Sequence, residues 1–449
     1  MGKLFGTDGV RGRANTYPVT PDMAMKIGRA TAAVFGAGKN HGLKAVVGKD
    51  TRLSGYMLEK ALVSGLLSMG MDVLEVGPMP TPAVAHLIKS MGATCGFMIT
   101  ASHNPAHDNG IKIFGGDGFK LPDATENKIE KLILEGESGV KSISSDAIGR
   151  AARIDDARGR YIEFAKSSIK NQSLKGLKIV LDCANGAAYS IAPLIFRELG
   201  AEVIVTANTP DGLNINDQCG ALHFEHASDL VRKHRADVGI SLDGDADRVI
   251  FCDGNGNEVN GDRIIGLCAL DLMNRGHLAG NSVVVTNMSN LGLYAAMSDA
   301  GIKIEETQVG DRYVIERMRS GGYNLGGEQS GHIIFMDYAT TGDGIITALH
   351  VLKIMISQGK KLHELADFMS EFPQVIKSIP VKEKKPIVEI TALRDVIIEA
   401  EKALAGNGRT IVRYSGTEPK IRVLVEARSQ QDVDIWLNRI SEIIKRELQ

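Results

Sequence analysis

Three carboxylates stand at alternate positions in the run DGDADR, residues 243–248: Asp243, Asp245 and Asp247. Packed this closely they repel one another unless a hard divalent cation sits among them. A solvated acidic turn is the other reading of such a run. An EF-hand loop is excluded, because Arg248 and Gly254 stand where that loop needs Gly and Glu. Three protein oxygens would leave the ion open to a phosphate oxygen, which favours Mg2+.

A second polar run, TASHNP at 100–105, places Ser102 beside His103. That pair suggests a hydrolase nucleophile, but no G-x-S-x-G surrounds it, and sequence neighbours do not make a triad by spacing alone. Ser and Asn-Pro also make an ordinary turn. Asn109-Gly110 then reads as a tight turn. Lys112 alternates with Ile111 and Ile113 on the next strand, so it points into a cleft or simply lies exposed on the strand. In GEQSGH, 327–332, Glu328 and Ser330 alternate and are expected to face one side. A carboxylate and a hydroxyl there suit vicinal sugar hydroxyls. His332 follows as a proton carrier or a structural histidine. RYSGTEP at 413–419 reads as an anion nest. Arg413 and Arg422 supply guanidinium forks, Ser415 and Thr417 hydroxyls, and Gly416 lets backbone N–H groups approach an oxygen. A hairpin turn accounts for the glycine but not for the rest. Arg11, in FGTDGVRG, either reaches a phosphate or makes a structural salt bridge.

Elements of an α/β kind must position these residues. Short apolar runs at 45–48, 73–76, 95–100, 178–182, 202–206, 238–242 and 282–286 predict strands. Amphipathic stretches at 22–37, 55–69, 191–199 and 262–274 predict helices between them. Such alternation implies a mostly parallel sheet with sites at the carboxyl ends of strands. LKAVVGKD at 43, LKIVLDCANG at 177 and SVVVTNMSN at 282 form a weak repeat, each followed later by one of the polar loops at 100, 243 and 327. The tail differs. It reads as strand 374–380, a KEKKP linker at 382–386, a helix, strands 409–413 and 421–426 and an amphipathic helix. A second linker is expected at 136–149.

The chain of 449 residues suggests about three domains. Its formal net charge of −2 gives no basic excess for nucleic acid, so a bound anion must be held by a local cluster. Five cysteines without C-x-x-C read as reduced thiols. MGKLFGTDGVRG has no apolar signal core, and no apolar run reaches about 18 residues. A cytoplasmic protein with no membrane span is expected.

Taken in order, TASHNP, DGDADR, GEQSG and R-x-SGTEP resemble the α-D-phosphohexomutase superfamily, over a span from position 6 to about 422. The resemblance implies three related α/β domains with mixed, mostly parallel sheets, plus a smaller C-terminal α+β domain, around a central cleft. The expected domains are 1–153 with the serine loop, 154–254 with the metal loop, 255–369 with the sugar loop and 370–449 with the phosphate loop. It further implies that Ser102 is phosphorylated and is a metal ligand with Asp243, Asp245 and Asp247. Glu328 and Ser330 would bind the sugar, and Arg413, Ser415, Gly416 and Thr417, with Arg422, the phosphate.

LFGTDGVRGRAN, GEQSGH, QVGDRYV at 308–314 and SGTEPKIRV at 415–423 point to the phosphoglucosamine branch. The phosphomannomutase/phosphoglucomutase branch is the alternative. It more usually has Met at the Gln329 position, a basic residue at the Asn287 position and His near Asp311. The implied reaction interconverts glucosamine 6-phosphate and glucosamine 1-phosphate through phosphoserine, Mg2+ and a hexosamine 1,6-bisphosphate. It would feed UDP-N-acetylglucosamine and cell-wall precursor synthesis, and the enzyme would be a homodimer. Thr307, Gly310 and Asp311 are expected at the substrate, with Asp311 suited to its ammonium group. Arg11, Arg248 and Lys112 would hold phosphoryl charge, His103 joins the catalytic set, and Lys112 and His332 share the proton transfer. A phosphatase and a non-catalytic sugar-phosphate sensor are the two other classes such a site could serve.

Overall fold

A computed structural model describes residues 4–6, 8–36, 42–136, 143–414 and 419–449. Continuous apolar runs make its central strands, because a strand covered on both faces has no polar side to present. The first sheet holds β1 (Val10–Arg13), β2 (Lys44–Lys49), β3 (Asp72–Pro78), β4 (Cys95–Ile99), β5 (Asp108–Gly115) and β6 (Ala151–Arg153), in the order β1-β5-β4-β2-β3-β6. The second holds β7 (Lys178–Asp182), β8 (Glu202–Thr206), β9 (Val238–Leu242), β10 (Val249–Asp253) and β11 (Glu258–Val259), in the order β11-β10-β9-β7-β8. The third holds β12 (Ser282–Thr286), β13 (Lys303–Thr307), β14 (Leu325–Gly327) and β15 (Ile333–Phe335), in the order β13-β12-β14-β15.

These sheets repeat one topology. In each, a first strand (β2, β7, β12) lies between its second (β3, β8, β13) and third (β4, β9, β14), all parallel. The next strand (β5, β10, β15) returns antiparallel beside the third. The repeat read in the sequence is therefore a repeat of strand order. The polar loops at 100–107, 243–248 and 328–332 all leave the carboxyl end of a third strand, where a βα sheet places its ligands.

The expected tight turn at Asn109-Gly110 is not one. Both residues lie in β5, paired with Gly12 and Arg11 of β1. An Asn-Gly pair is a turn signal only where no strand claims it. Here Asn109 Oδ1 accepts from Gly110 N, its Nδ2 donates to Ser54 Oγ, and a Cβ on Gly110 would meet Val10 O at 2.7 Å. All five cysteines are free and buried, and burial raises each thiol's pKa. Among the described residues no helix is long and apolar enough to cross a membrane.

Residues up to 288 together with 302–367 form one compact unit, and 289–301 with 368–449 form another. The second unit carries β16 (Gln374–Pro380), β17 (Gly408–Tyr414) and β18 (Lys420–Ala427), antiparallel in the order β16-β18-β17. Helices Thr391–Leu404 and Gln430–Leu448 complete its core with Leu393, Trp436 and Ile440. Residues 289–301 pack with it because Asn290 bonds both backbone groups of Phe372 and Leu291 N donates to Glu426. The linker expected at 136–149 lies partly outside the described residues.

Asp343 caps helix Gly344–Gln358 by accepting from Ile345 N and Ile346 N, and it also takes the Tyr161 hydroxyl. Burial lifts its pKa to about 6, although those bonds pull the other way. The folded value lies above the ordinary 3.8, so the native state holds this proton more tightly than the unfolded chain. Stability from the group is present below about pH 4 and is lost as pH rises towards 6. Tyr161→Phe removes a donor that favours the charged form. It is expected to cost about 1–3 kcal/mol at pH 7 and less at pH 5, where the carboxyl is mostly protonated. Urea unfolding at both pH values measures this, and an equal cost at the two would refute it.

Candidate active site

The serine loop and the metal loop meet. Ser102 is buried, and its Oγ donates to Asp243 Oδ2 at 2.6 Å. The metal loop turns tightly after β9, with Ala246 at φ 55° bringing the three aspartates round. Oxygens of Asp243, Asp245 and Asp247 lie within 4.8 Å of one another, and all three residues are buried. Helix Thr81–Ser90 of the first domain supports this loop from its start. Thr81 N donates to Asp245 O, and Thr81 Oγ1 to Asp245 Oδ2.

Lys112 is fully buried, with Nζ 2.8 Å from Asp245 Oδ2, 3.1 Å from Asp247 Oδ2 and 3.5 Å from Asp8. It is neither an exposed strand lysine nor a group lining the cavity. Its ammonium is the counter-charge of the aspartates. Burial alone would lower its pKa, but Asp245, Asp247 and Asp8 outweigh burial and hold it well above the usual lysine range. The carboxylates answer unequally. Burial, then the charges of Asp247 and Asp245, push Asp243 well up. Burial pushes Asp247 up too, but Lys112, His332 and Arg248 outweigh it and hold it well down.

Whether these residues suit a cation can be judged from the donor atoms. Asp245 Oδ1 and Asp247 Oδ1 are buried and have no hydrogen-bond partner among the described residues. Buried carboxylate oxygens without donors are costly, and a hard divalent ion on oxygen ligands removes that cost. The triad can hold a metal.

A cavity of about 340 Å³ opens beside it, and its lining includes Asp8, Arg11, Ser102, Asp247, Arg248, Gly310, Asp311, Glu328 and His332. Arg11 makes the salt bridge, to Asp8, and it also faces this cavity. His332 lines the cavity too. Its Nε2 accepts from Gly342 N at 3.0 Å, which puts the ring proton on Nδ1, 3.6 Å from Asp247 Oδ1. Burial depresses the ring's pKa, but the carboxylates of Asp247, Asp311 and Glu328 outweigh it and raise the value. A second proton on Nε2 would have to displace the Gly342 bond. His103 goes the other way. Burial, then Arg248 and Arg11, lower it to about 4, so it is neutral at pH 7, and its Nδ1 lies 3.0 Å from Arg248 Nη1 and 3.4 Å from Ser102 Oγ.

Three expectations need correction. Glu328 and Ser330 do not face one side: Glu328 lines the first cavity, whereas Ser330 lines a second of about 420 Å³ beyond His103 and Arg248. Residues 328–331 form a turn closed by Gly331 N on Glu328 O, so the alternation of an extended strand does not apply. Asp311 does not hold out a free carboxylate to an ammonium group, because Lys120 bridges it to Asp8. Thr307 does not line the cavity; its hydroxyl lies between Val285 O and Gln308 O at the end of β13, at 3.3 and 3.1 Å, and donates its one proton to either. Gly310 stays at the site through its N–H on Glu328 Oε1 at 3.1 Å.

In the second unit, Arg413 and Arg422 stand directly opposite on β17 and β18. Like charges so placed repel. Burial, then the charge of Arg422, lowers the Arg413 pKa, and Arg422 Nε is buried without a hydrogen-bond partner among the described residues. An anion between them would relieve both. Ser415, Gly416 and Thr417 lie outside the described residues.

Sequence reasoning missed Asp8, Thr81, Lys120, Arg52 and Asn216. The polar run KDTRLSG at 49–55, which begins at the end of β2, is the available signal for Arg52. Lys120 and Asn216 carry no local signal, since each acts on a residue about a hundred or more positions away.

Family models described as Phosphoglucomutase/phosphomannomutase, alpha/beta/alpha domains I, II and III and C-terminal domain match residues 2–139, 159–256, 260–372 and 377–443. The chain is 54% identical over 449 residues to a phosphoglucosamine mutase of Geotalea daltonii, covering 100% of this chain and 99% of that protein. It is 52% identical over 451 residues to the phosphoglucosamine mutase of Bdellovibrio bacteriovorus, covering 99% of each. A phosphoglucomutase/phosphomannomutase family protein of Burkholderia thailandensis shares the fold with TM-score 0.82 and 23% identity, over 98% of this chain and 97% of that one. The N-acetylphosphoglucosamine mutase of Aspergillus fumigatus, solved in complex with GlcNAc-6P and magnesium, aligns with TM-score 0.68 and 19% identity, over 99% of this chain and 95% of that one.

Proposed function

We propose that this chain, which belongs to the phosphoglucomutase/phosphomannomutase family, is a mutase that interconverts glucosamine 6-phosphate and glucosamine 1-phosphate. The observation that carries the reading is the Ser102 hydroxyl, 2.6 Å from the first aspartate of a buried metal-suited triad and facing a charged cavity. Full-length identity above one half to phosphoglucosamine mutases selects the amino sugar.

On this reading Ser102 carries a phosphoryl group. The Ser102 O–P bond breaks as a P–O bond forms to the free O1 or O6 of the sugar, and that hydroxyl gives up its proton. The 1,6-bisphosphate then turns in the site and returns its other phosphoryl group to Ser102. Asp243, Asp245, Asp247 and Ser102 would hold Mg2+, which would supply neutralising charge for the phosphoryl oxygens. Arg11 and Arg248 add guanidinium charge at the cavity wall. His332 faces the cavity and fits the proton transfer; Lys112 would have to lose its three carboxylate partners before it accepted a proton. Arg413 and Arg422 fit the phosphate that is not being transferred. The enzyme would act in the cytoplasm, as a homodimer, on a small amino-sugar phosphate.

Parallel assays with glucosamine, glucose and mannose phosphates test the assignment. Glucosamine phosphate is expected to lead in kcat/KM by at least about tenfold, the discrimination one polar group can supply. A preference for glucose 1-phosphate would overturn the amino-sugar assignment, and phosphate release exceeding isomer formation would make the enzyme a phosphatase.

A further inference from the structure

Ser102 sits in a backbone conformation that serine rarely adopts. Its φ is 51°, in the left-handed region where a Cβ crowds the following carbonyl. The donors that hold it there do not line the cavity. Arg52, following β2, is fully buried. Its Nη2 donates to Ser102 O at 3.0 Å and to Asn104 O at 2.7 Å, and its Nη1 donates to Asp108 O at 3.0 Å and to Pro105 O. Asn216, in the loop after β8, donates from Nδ2 to the same first two carbonyls, at 2.9 Å and 3.0 Å. Thus one donor comes from the domain of the serine and the other from the domain of the aspartates.

The arrangement is braced on its other side. Asp50 Oδ2 accepts from Arg52 Nε at 2.8 Å and from Thr100 Oγ1 at 2.7 Å, and Thr100 Oγ1 accepts from Ser102 N at 2.9 Å. Gly244, between the first two aspartates, approaches so closely that a Cβ there would lie 2.5 Å from Ser102 O. Only a planar fork of N–H groups can serve so many carbonyls at once.

We propose that Arg52 and Asn216 are positioning residues for phosphoryl transfer, gripping the Ser102 peptide from two domains and so fixing the direction of its Oγ towards Asp243. The proposal rests on Ser102 being the phosphoryl carrier. If the grip loosens, the peptide relaxes towards ordinary φ and Oγ swings away. Misplacement of a reacting atom by about 1 Å costs on the order of a hundredfold. Substrate binding should change little, because neither side chain lines the cavity.

The test compares Asn216→Ala, Asn216→Asp and Arg52→Lys in the full chain with Mg2+. It measures kcat, KM, melting temperature and the rate at which a hexosamine 1,6-bisphosphate phosphorylates Ser102, followed by intact mass. The expected result is a fall of about tenfold to a hundredfold in kcat and phosphorylation rate, with KM within about twofold. Asn216 lies at φ 58°, which Ala tolerates less well, so Asn216→Ala should melt a few degrees below the parent and still be folded at the assay temperature. Asn216→Asp keeps the shape but turns the donor into an acceptor, so it should fall at least as far as Asn216→Ala. Parental kcat in Asn216→Asp, or a loss confined to KM, would overturn the proposal. Ser102→Ala separates the two claims: phosphoryl uptake in that variant defeats the carrier reading, whereas no uptake there with parental rates in both Asn216 variants defeats only the grip.

Discussion

Replacing Ser102 by alanine is expected to lower mutase turnover by about 10⁴-fold or more, the scale of losing a nucleophile. The variant should fold, because the bonds that hold this loop use the Ser102 N–H and C=O, not its hydroxyl. What is lost is the bond to Asp243 Oδ2 and the longer contact with His103 Nδ1. Burial and two neighbouring carboxylates already push Asp243 towards its protonated form, so the cost in stability should stay near 1–2 kcal/mol. Intact mass after incubation with a hexosamine 1,6-bisphosphate gives a second readout. The parent should gain one phosphoryl group and the variant none. Turnover within about tenfold of the parent would remove Ser102 from the mechanism.

Asp245→Asn is expected to cost about 10³-fold and to abolish the response to Mg2+. Asp245 Oδ2 is held by Thr81 Oγ1 at 2.5 Å and Lys112 Nζ at 2.8 Å, while Oδ1 is buried and has no partner among the described residues. An amide keeps the shape. It removes a charge, and it must turn its NH2 either towards the Lys112 ammonium or into the space among the carboxylates. Both choices weaken a site for a hard cation. A thermal shift on adding MgCl2 reports binding without activity. The parent should gain about 2–3 kcal/mol at a hundredfold excess over Kd, and the variant little. Chelation should inactivate the parent, with Mg2+ restoring it. Unchanged activity of the variant in chelator would show that the triad holds no catalytic metal.

Much of the fold and of the site is legible in the sequence, for a common reason. Strands 178–182, 238–242 and 282–286 are legible to the residue because covered strands must be apolar and their ends are marked by polar loops, and the half-buried edge strand 202–206 is legible from its β-branched run. The aspartate triplet was legible because three carboxylates at alternate positions have few purposes. The Asn109-Gly110 turn was misread because pairing with β1 comes from a segment about a hundred residues earlier. Glu328 and Ser330 were misread because their alternation assumed a strand where the chain turns.

The sequence by itself determined the loops that carry Ser102, the three aspartates, Glu328 and His332, and the order of those loops, since residue type, spacing and the apolar runs before them are local properties. Tertiary structure decided what each charge faces. Lys112 became the counter-ion of the aspartates, Lys120 took the carboxylate of Asp311, and His103 lost its charge to burial beside Arg248 and Arg11. Ser102, an ordinary turn residue on paper, acquired its direction from Arg52 and Asn216. Electrostatic and hydrogen-bond energies depend on distance in space and on burial, and neither is written in the spacing of residues along a chain.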